Sequence, residues 1–192
     1  MITFFLREIE EVQSVQELSR TLRNGRIWLT FFSGQPGVRG PFGSSWPMEK
    51  AKGKDVIIVT GGIGLAPLRP AVYQFLNQRE HINKFALLYG ARTPDDILYR
   101  EDIKSWRSRL DFQVRVTVDQ AQRDWFGTVG VVTILIEKAR FDPDNVIVLV
   151  CGPEIMMHFT VQRLGELGVK KEDIYISMER NMKCAVGFCG HC

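Results

Sequence analysis

No segment of this 192-residue sequence carries the roughly twenty consecutive apolar residues that a helix needs to cross a bilayer. The apolar opening Met1–Leu6 is cut off by Arg7, Glu8, Glu10 and Glu11, too soon for the core of an export signal. Together these absences point to a cytoplasmic protein with no membrane span. Charge of one sign is also scarce, with 25 Lys and Arg against 22 Asp and Glu. The surplus is spread along the chain and no basic block is interleaved with aromatics, which argues against a nucleic-acid partner. Histidine is rare, and none accompanies Cys151 within Val150–Met157, so that thiol has no local base of the kind a cysteine nucleophile uses. Cysteine itself is sparse but unevenly placed: of four, Cys184, Cys189 and Cys192 crowd the last nine positions. In a chain without an export signal, thiols clustered in this way argue for metal ligation over disulfides. What is present is ordinary. A 45% apolar and 24% charged composition suits one generous domain, or one domain with an appendage, that buries a real core.

Two textures meet near residue 50. Before it, Glu8–Arg23 could be helical, Arg26–Phe32 could be a strand, and Gly34–Trp46 is rich in Gly, Pro and Ser and reads as loop. These fifty residues do not make a self-sufficient domain. After Lys54 the pattern is regular. Asp55–Thr60, Lys84–Tyr89 and Asn145–Val150 are short continuous apolar runs, as expected of strands buried on both faces. Phe112–Val118 and Asp173–Met178 read as two further strands. Leu65–Gln78 has helical spacing at Leu68, Val72, Phe75 and Leu76. Asp95–Leu110 has helical length behind Thr93-Pro94, Val129–Ala139 is a helix candidate, and Glu154–Leu167 is a helix stopped by Gly168. Strands alternating with helices predict an α/β fold, a five-stranded parallel doubly wound sheet.

Between the first of these strands and its helix runs Thr60-Gly61-Gly62-Ile63-Gly64-Leu65-Ala66-Pro67. Glycines there allow close approach of a ligand to the backbone, and the helix N-terminus offers N–H groups and a positive dipole end to a pyrophosphate. Pro67 suits a first helical turn, where a missing N–H costs nothing. The usual GxGxxG fingerprint is absent, so the segment alone is equally a plain tight turn.

Three strand-end motifs occur in order: TGGIGLAPLRP, LLYGAR (Leu87–Arg92) and VCGPEIMM (Val150–Met157). They resemble those of the ferredoxin–NADP reductase superfamily. The likeness is greatest to the branch that holds the gamma subunits of cytoplasmic sulfhydrogenases, a component of anaerobic sulfite reductase, and the electron-transfer subunits of dihydroorotate dehydrogenases. The resemblance covers about three-quarters of the chain and implies NAD(P) as ligand. It implies that Gly61, Gly62 and Gly64 flank the pyrophosphate, that Tyr89, Gly90, Ala91 and Arg92 line the adenosine side, and that Cys151, Gly152 and Pro153 lie beside the nicotinamide. Read from the residues alone, Arg92 could instead be a solvated surface charge, and Cys151 a small buried filler at a strand end.

Val38-Arg39-Gly40-Pro41-Phe42-Gly43 resembles the segment that joins the flavin barrel to the nucleotide domain, which would lay Arg39, Gly40 and Pro41 along FAD. On its own it is a Gly/Pro linker. The sequence departs from the family pattern before this point. No Arg-x-Tyr-Ser motif for FAD phosphates occurs in 1–36, and that stretch is too short for the barrel. Residues 1–50 therefore read as a remnant of the flavin-binding barrel plus linker, 51–180 as the NAD(P)-binding domain, and 181–192 as a terminal cysteine loop.

Cys184-x4-Cys189-x2-Cys192 matches the first three ligands of a plant-type [2Fe–2S] site, whose fourth cysteine comes later. The expectation is a chain shortened at both ends. Zinc held by Cys184, Cys189, His191 and Cys192 is an alternative, as are three plain thiols. The function implied by the resemblance is an electron-transfer flavoprotein subunit. NAD(P)H passes a hydride to FAD, and the cluster relays single electrons to catalytic subunits of a hydrogenase-like or dihydroorotate dehydrogenase-like oxidoreductase, or the flow reverses. No catalytic acid or base is implied, because the cofactors carry the chemistry. Two other readings are an isolated nucleotide-binding module or fragment without turnover, and a zinc-stapled Rossmann-like domain. NADH and NADPH both remain open, since Arg92 favours a 2′-phosphate while Asp95 and Asp96 oppose one.

Overall fold

The computed structural model of the chain describes residues 28–32, 35–39, 45–121 and 124–178. The chain divides into two compact units, residues 46–176 and a second made of 1–45 with 177–192. The described part of the latter includes an antiparallel hairpin of β1 (Trp28–Phe32) and β2 (Gln35–Arg39), with Trp28 opposite Arg39 and Phe32 opposite Gln35. Gln35–Arg39 is thus a strand where the Gly and Pro content reads as loop. Among the described residues no third strand joins this hairpin, and an edge tolerates the missing donor of Pro36.

The larger unit is built on a six-stranded sheet in the order β6-β5-β4-β3-β7-β8. Its strands are β3 (Asp55–Gly61), β4 (Phe85–Ala91), β5 (Gln113–Val118), β6 (Thr128–Val129), β7 (Val146–Cys151) and β8 (Ile174–Ser177). The pairs β3–β4, β3–β7, β4–β5 and β5–β6 are parallel. The sequence yields five of these strands. The sixth, β6, has two residues, too short to leave an alternation. Three helices, α1 (Leu65–Asn77), α2 (Arg100–Arg107) and α3 (Glu154–Glu166), connect and cover the strands.

β3 and β7 are buried along their whole length, because each strand carries two apolar faces. Val56, Ile58, Leu87, Ile147 and Leu149 face one core with Leu65, Leu68, Val72 and Phe75 of α1 and Ile103 and Trp106 of α2. Ile57, Val59, Leu88, Val146, Val148 and Val150 face a second core with Met157 and Leu164 of α3. The sheet is therefore doubly wound. At its amino end, the buried Asp55 carboxylate accepts hydrogen bonds from the Lys84 N–H (3.0 Å) and the Asp142 N–H (2.9 Å), which ties two incoming loops to the start of β3.

Two helix expectations need correction. Val129–Ala139 holds a 3₁₀ turn, Val132–Leu135, in place of an α-helix. Its run of β-branched residues resists helix, yet Val132, Leu135 and Ile136 still cover the second core. Asp95–Leu110 is helical only from Arg100. Thr93 and Asp96 form a capping box on a short 3₁₀ turn, Pro94–Asp96, and Tyr99 then adopts φ 50°, which separates the turn from α2.

Candidate functional site at the carboxyl edge of the sheet

The chain runs β3-β4-β5-β6 to one side and returns to place β7 on the other side of β3. The strand order therefore reverses between β3 and β7, and ligands of open parallel sheets bind outside the carboxyl ends of the strands at such a point. Thr60 is paired with Tyr89 on β4 and with Cys151 on β7. The turns that follow β3, β4 and β7 consequently emerge on the same edge of the sheet.

The loop after β3 is shaped by two glycines with different duties. Gly62 has φ 54° and open space where a side chain would stand, so its need is conformational. Gly64 is needed for contact. A Cβ there would fall 2.3 Å from the Cys151 carbonyl oxygen and 2.8 Å from the Gly152 nitrogen. The β3–α1 loop thus lies directly on the β7–α3 loop, main chain against main chain. α1 then starts at Leu65 with no acidic residue in its first turn and no side-chain cap, so its N–H groups and positive dipole end are not neutralised by its own side chains.

The end of β4 differs from the arrangement that the resemblance implies. The Tyr89 side chain is fully buried in the α1-side core, and its hydroxyl accepts the Leu98 N–H at 3.1 Å. Ala91 is also buried. A Cβ on Gly90 would meet Val132 at 3.0 Å, so that glycine serves packing on the other face. Of these four residues only Arg92 is exposed. Tyr89 bears on the site indirectly, by holding the 94–99 segment. That segment is further fixed by Thr93, whose N–H and hydroxyl donate to Asp96 (3.1 and 2.8 Å), and by Arg100, which donates to the Pro94 carbonyl (2.7 Å). The Asp119 and Gln120 N–H groups hold the Ala91 and Arg92 carbonyls at 3.0 and 2.9 Å.

At the end of β7, Cys151 is buried on the α1 side, Gly152 is partly covered, and Pro153 is exposed at the start of α3. Arg39 lies in β2. Gly40, Pro41, Cys184, Cys189 and Cys192 lie outside the described residues.

The sequence gives no sign of the clamp beside this edge. Arg69 of α1 donates to Asp102 of α2 at 2.6 Å, and its guanidinium lies 5.0 Å from the Tyr73 ring centre and 4.8 Å from that of Tyr99. Burial pushes the phenols of Tyr73, Tyr89 and Tyr99 above the ordinary tyrosine value. A raised folded-state pKa gives stability that is fully present below the unfolded value, near pH ~10, and lost as pH rises through the folded value. Urea denaturation across that range should therefore show the unfolding free energy falling above about pH 10. Tyr89→Phe should blunt the fall while costing about 1 kcal/mol at neutral pH through the lost Leu98 hydrogen bond.

Residues 58–162 match the oxidoreductase NAD-binding domain family. The chain is 33% identical over 168 residues to sulfhydrogenase 2 subunit gamma of Pyrococcus furiosus, a match that takes in 81% of this chain and 58% of that protein. It is 34% identical over 156 residues to the probable dihydroorotate dehydrogenase B (NAD(+)), electron transfer subunit of Methanocaldococcus jannaschii, taking in 81% and 54%. The chain thus spans less than two thirds of the length of these relatives. Among solved structures, the cytochrome b5 reductase domain of Ulva prolifera nitrate reductase shares the fold with a TM-score of 0.64 and 24% identity, over 77% of this chain and 63% of that one. The strand-end loops, the strand order and these matches agree: the chain belongs to the oxidoreductase NAD-binding domain family, within the ferredoxin–NADP reductase superfamily.

Proposed function

We propose that this chain binds a nicotinamide dinucleotide across the β3–β7 crevice, as the pyridine-nucleotide part of an electron-transfer flavoprotein subunit. The observation that carries this reading is the backbone contact between the β3–α1 and β7–α3 loops at the strand-order reversal, directly before the uncapped start of α1. In this reading the positive dipole end of α1 faces the pyrophosphate, and Gly61, Gly62 and Gly64 let it approach. Arg92 supplies a positive charge on the adenosine side. Cys151, Gly152 and Pro153 pack beside the nicotinamide and keep water from that face. NAD(P)H, when bound, supplies a hydride to an acceptor; the chain binds and orients it and provides no acid or base.

Flavin and cluster enter the proposal from sequence. Among the described residues there is neither a flavin-binding barrel nor a group of three clustered His, Cys, Asp or Glu side chains, so that part of the chain does not itself fit either group. The segment Val38–Gly43 and the Cys184, Cys189, Cys192 spacing support FAD and a [2Fe–2S] relay. The similarity to subunits of a sulfhydrogenase and of a dihydroorotate dehydrogenase supports a catalytic partner subunit that exchanges electrons with this one.

The test is a fluorescence titration of the chain with NADH and with NADPH. Saturable binding displaced by ADP-ribose is expected, and absence of binding by both nucleotides sinks the reading. Reduction of a dye acceptor by NAD(P)H with FAD added then separates an electron conduit from a bare binding module.

A further inference from the structure

We propose that Met156 is a positioning residue for the dinucleotide, its thioether setting the separation of the two backbones that form the β3–β7 crevice. The inference rests on the dinucleotide reading above. Gly61 and Gly152 each follow directly after the last β3–β7 pair, Thr60–Cys151. The two backbones lie against each other, since a Cβ on Gly152 would end 3.0 Å from the Gly61 nitrogen. Neither residue has a side chain, and one thioether fills both places. A Cβ on Gly61 would fall 2.6 Å from Met156 Sδ, and one on Gly152 would fall 2.9 Å from its Cε and 3.1 Å from its Sδ.

Met156 is anchored for this task. It sits in the first turn of α3, half-buried, and packs against the core that contains Val148, Val150 and Met157. Its base is thus fixed by the helix while its tip reaches the crevice. An unbranched, polarisable side chain suits a gap bounded by two main chains, where branching at Cβ would add bulk at the wall. The two glycines are accordingly matched to Met156 as well as to a ligand.

Deleting the thioether removes the side chain that both loops rest on, so the two loops can shift relative to each other. A dinucleotide must meet both loops at once, with its pyrophosphate at α1 and its nicotinamide beside Cys151–Pro153, so it is sensitive to their spacing. A mononucleotide held on the adenosine side, at the end of β4, is not.

Titrations of Met156→Ala with NADH, NADPH and 5′-AMP test the proposal in the full chain. NAD(P)H affinity is expected to fall about tenfold, equivalent to about 1.4 kcal/mol of lost interaction. The 5′-AMP affinity should stay at the wild-type value, and Met156→Leu, which nearly conserves volume, should restore most of the NAD(P)H affinity. Unchanged NAD(P)H affinity in Met156→Ala overturns the inference, and so does an equal loss for NAD(P)H and 5′-AMP, which marks a general loss of structure. A wild-type chain that binds neither NADH nor NADPH removes the underlying reading, and this inference falls with it.

Discussion

Gly64→Ala should unfold this domain at markedly lower denaturant and abolish measurable dinucleotide binding, while Gly165→Ala should make it more stable. Both add one methyl group to a glycine, and the opposite signs come from what each methyl meets. At Gly64 the new Cβ would lie 2.3 Å from the Cys151 oxygen, 2.6 Å from its carbonyl carbon and 2.8 Å from the Gly152 nitrogen. These are main-chain atoms at the end of a fully buried strand, with no rotamer to give way. The loops must part, at a cost of about 3 kcal/mol, in the upper range of overpacking. Parting them also moves the start of α1 away from β7, so the two loops that a dinucleotide must meet together no longer stand at the spacing it needs. Gly165 is exposed in the last turn of α3, and nothing lies within 4 Å of its Cβ position. There the methyl raises helix propensity and restricts the unfolded chain, a gain of about 0.5 to 1 kcal/mol. Urea melts of the two variants with NADH titrations check both. Equal behaviour of the pair would mean that the β3–β7 loops are not in contact.

The same contact marks the limit of what the sequence reveals. β3, β4 and β7 are legible because strands buried on both faces leave uninterrupted runs such as Val146–Val150, and their parallel order then places three loops on one edge. That uninterrupted burial also erases the alternation that says which side chain points where. The resemblance places Tyr89 on the adenosine side, and the local pattern does not reveal that its side chain shares the parity of Leu87 and faces the α1-side core. β6 and the 132–135 turn fail for a different reason. Two residues of pairing and one 3₁₀ turn leave no period to detect, and the apolar residues of 129–136 cover a core from a buried turn as readily as a helix would. Met156 is invisible in sequence because its role depends on how α3 meets Gly61, 95 positions earlier, a distance that no local pattern spans.

Phe85→Ala is expected to cost about 4 kcal/mol and yet leave the NAD(P)H affinity of the folded molecules unchanged. Phe85 opens β4 at the amino end of the sheet, opposite the loops, and is 2% exposed. Its ring stacks on Phe112 at 4.1 Å with an interplanar angle of 9°, and meets Phe75 of α1 edge-on at 5.6 Å. Phe112 in turn lies 6.2 Å from Trp106 of α2, so the aromatic group joins β4, α1, α2 and the entry to β5. Truncation to alanine removes the transfer energy of a buried ring and leaves a cavity bounded by large side chains that cannot all close on it, which places the loss well inside the range for aromatic deletions. Binding is spared because the altered packing lies at the far end of β4 from Arg92, and the strand between them keeps its pairing with β3 and β5. Denaturation gives the first quantity. NADH titration corrected for the folded fraction gives the second. A fall in intrinsic affinity comparable to that of Met156→Ala would mean that the amino end of the sheet transmits its packing to the crevice, and that stability and ligand positioning are not divided between the two ends of the strands.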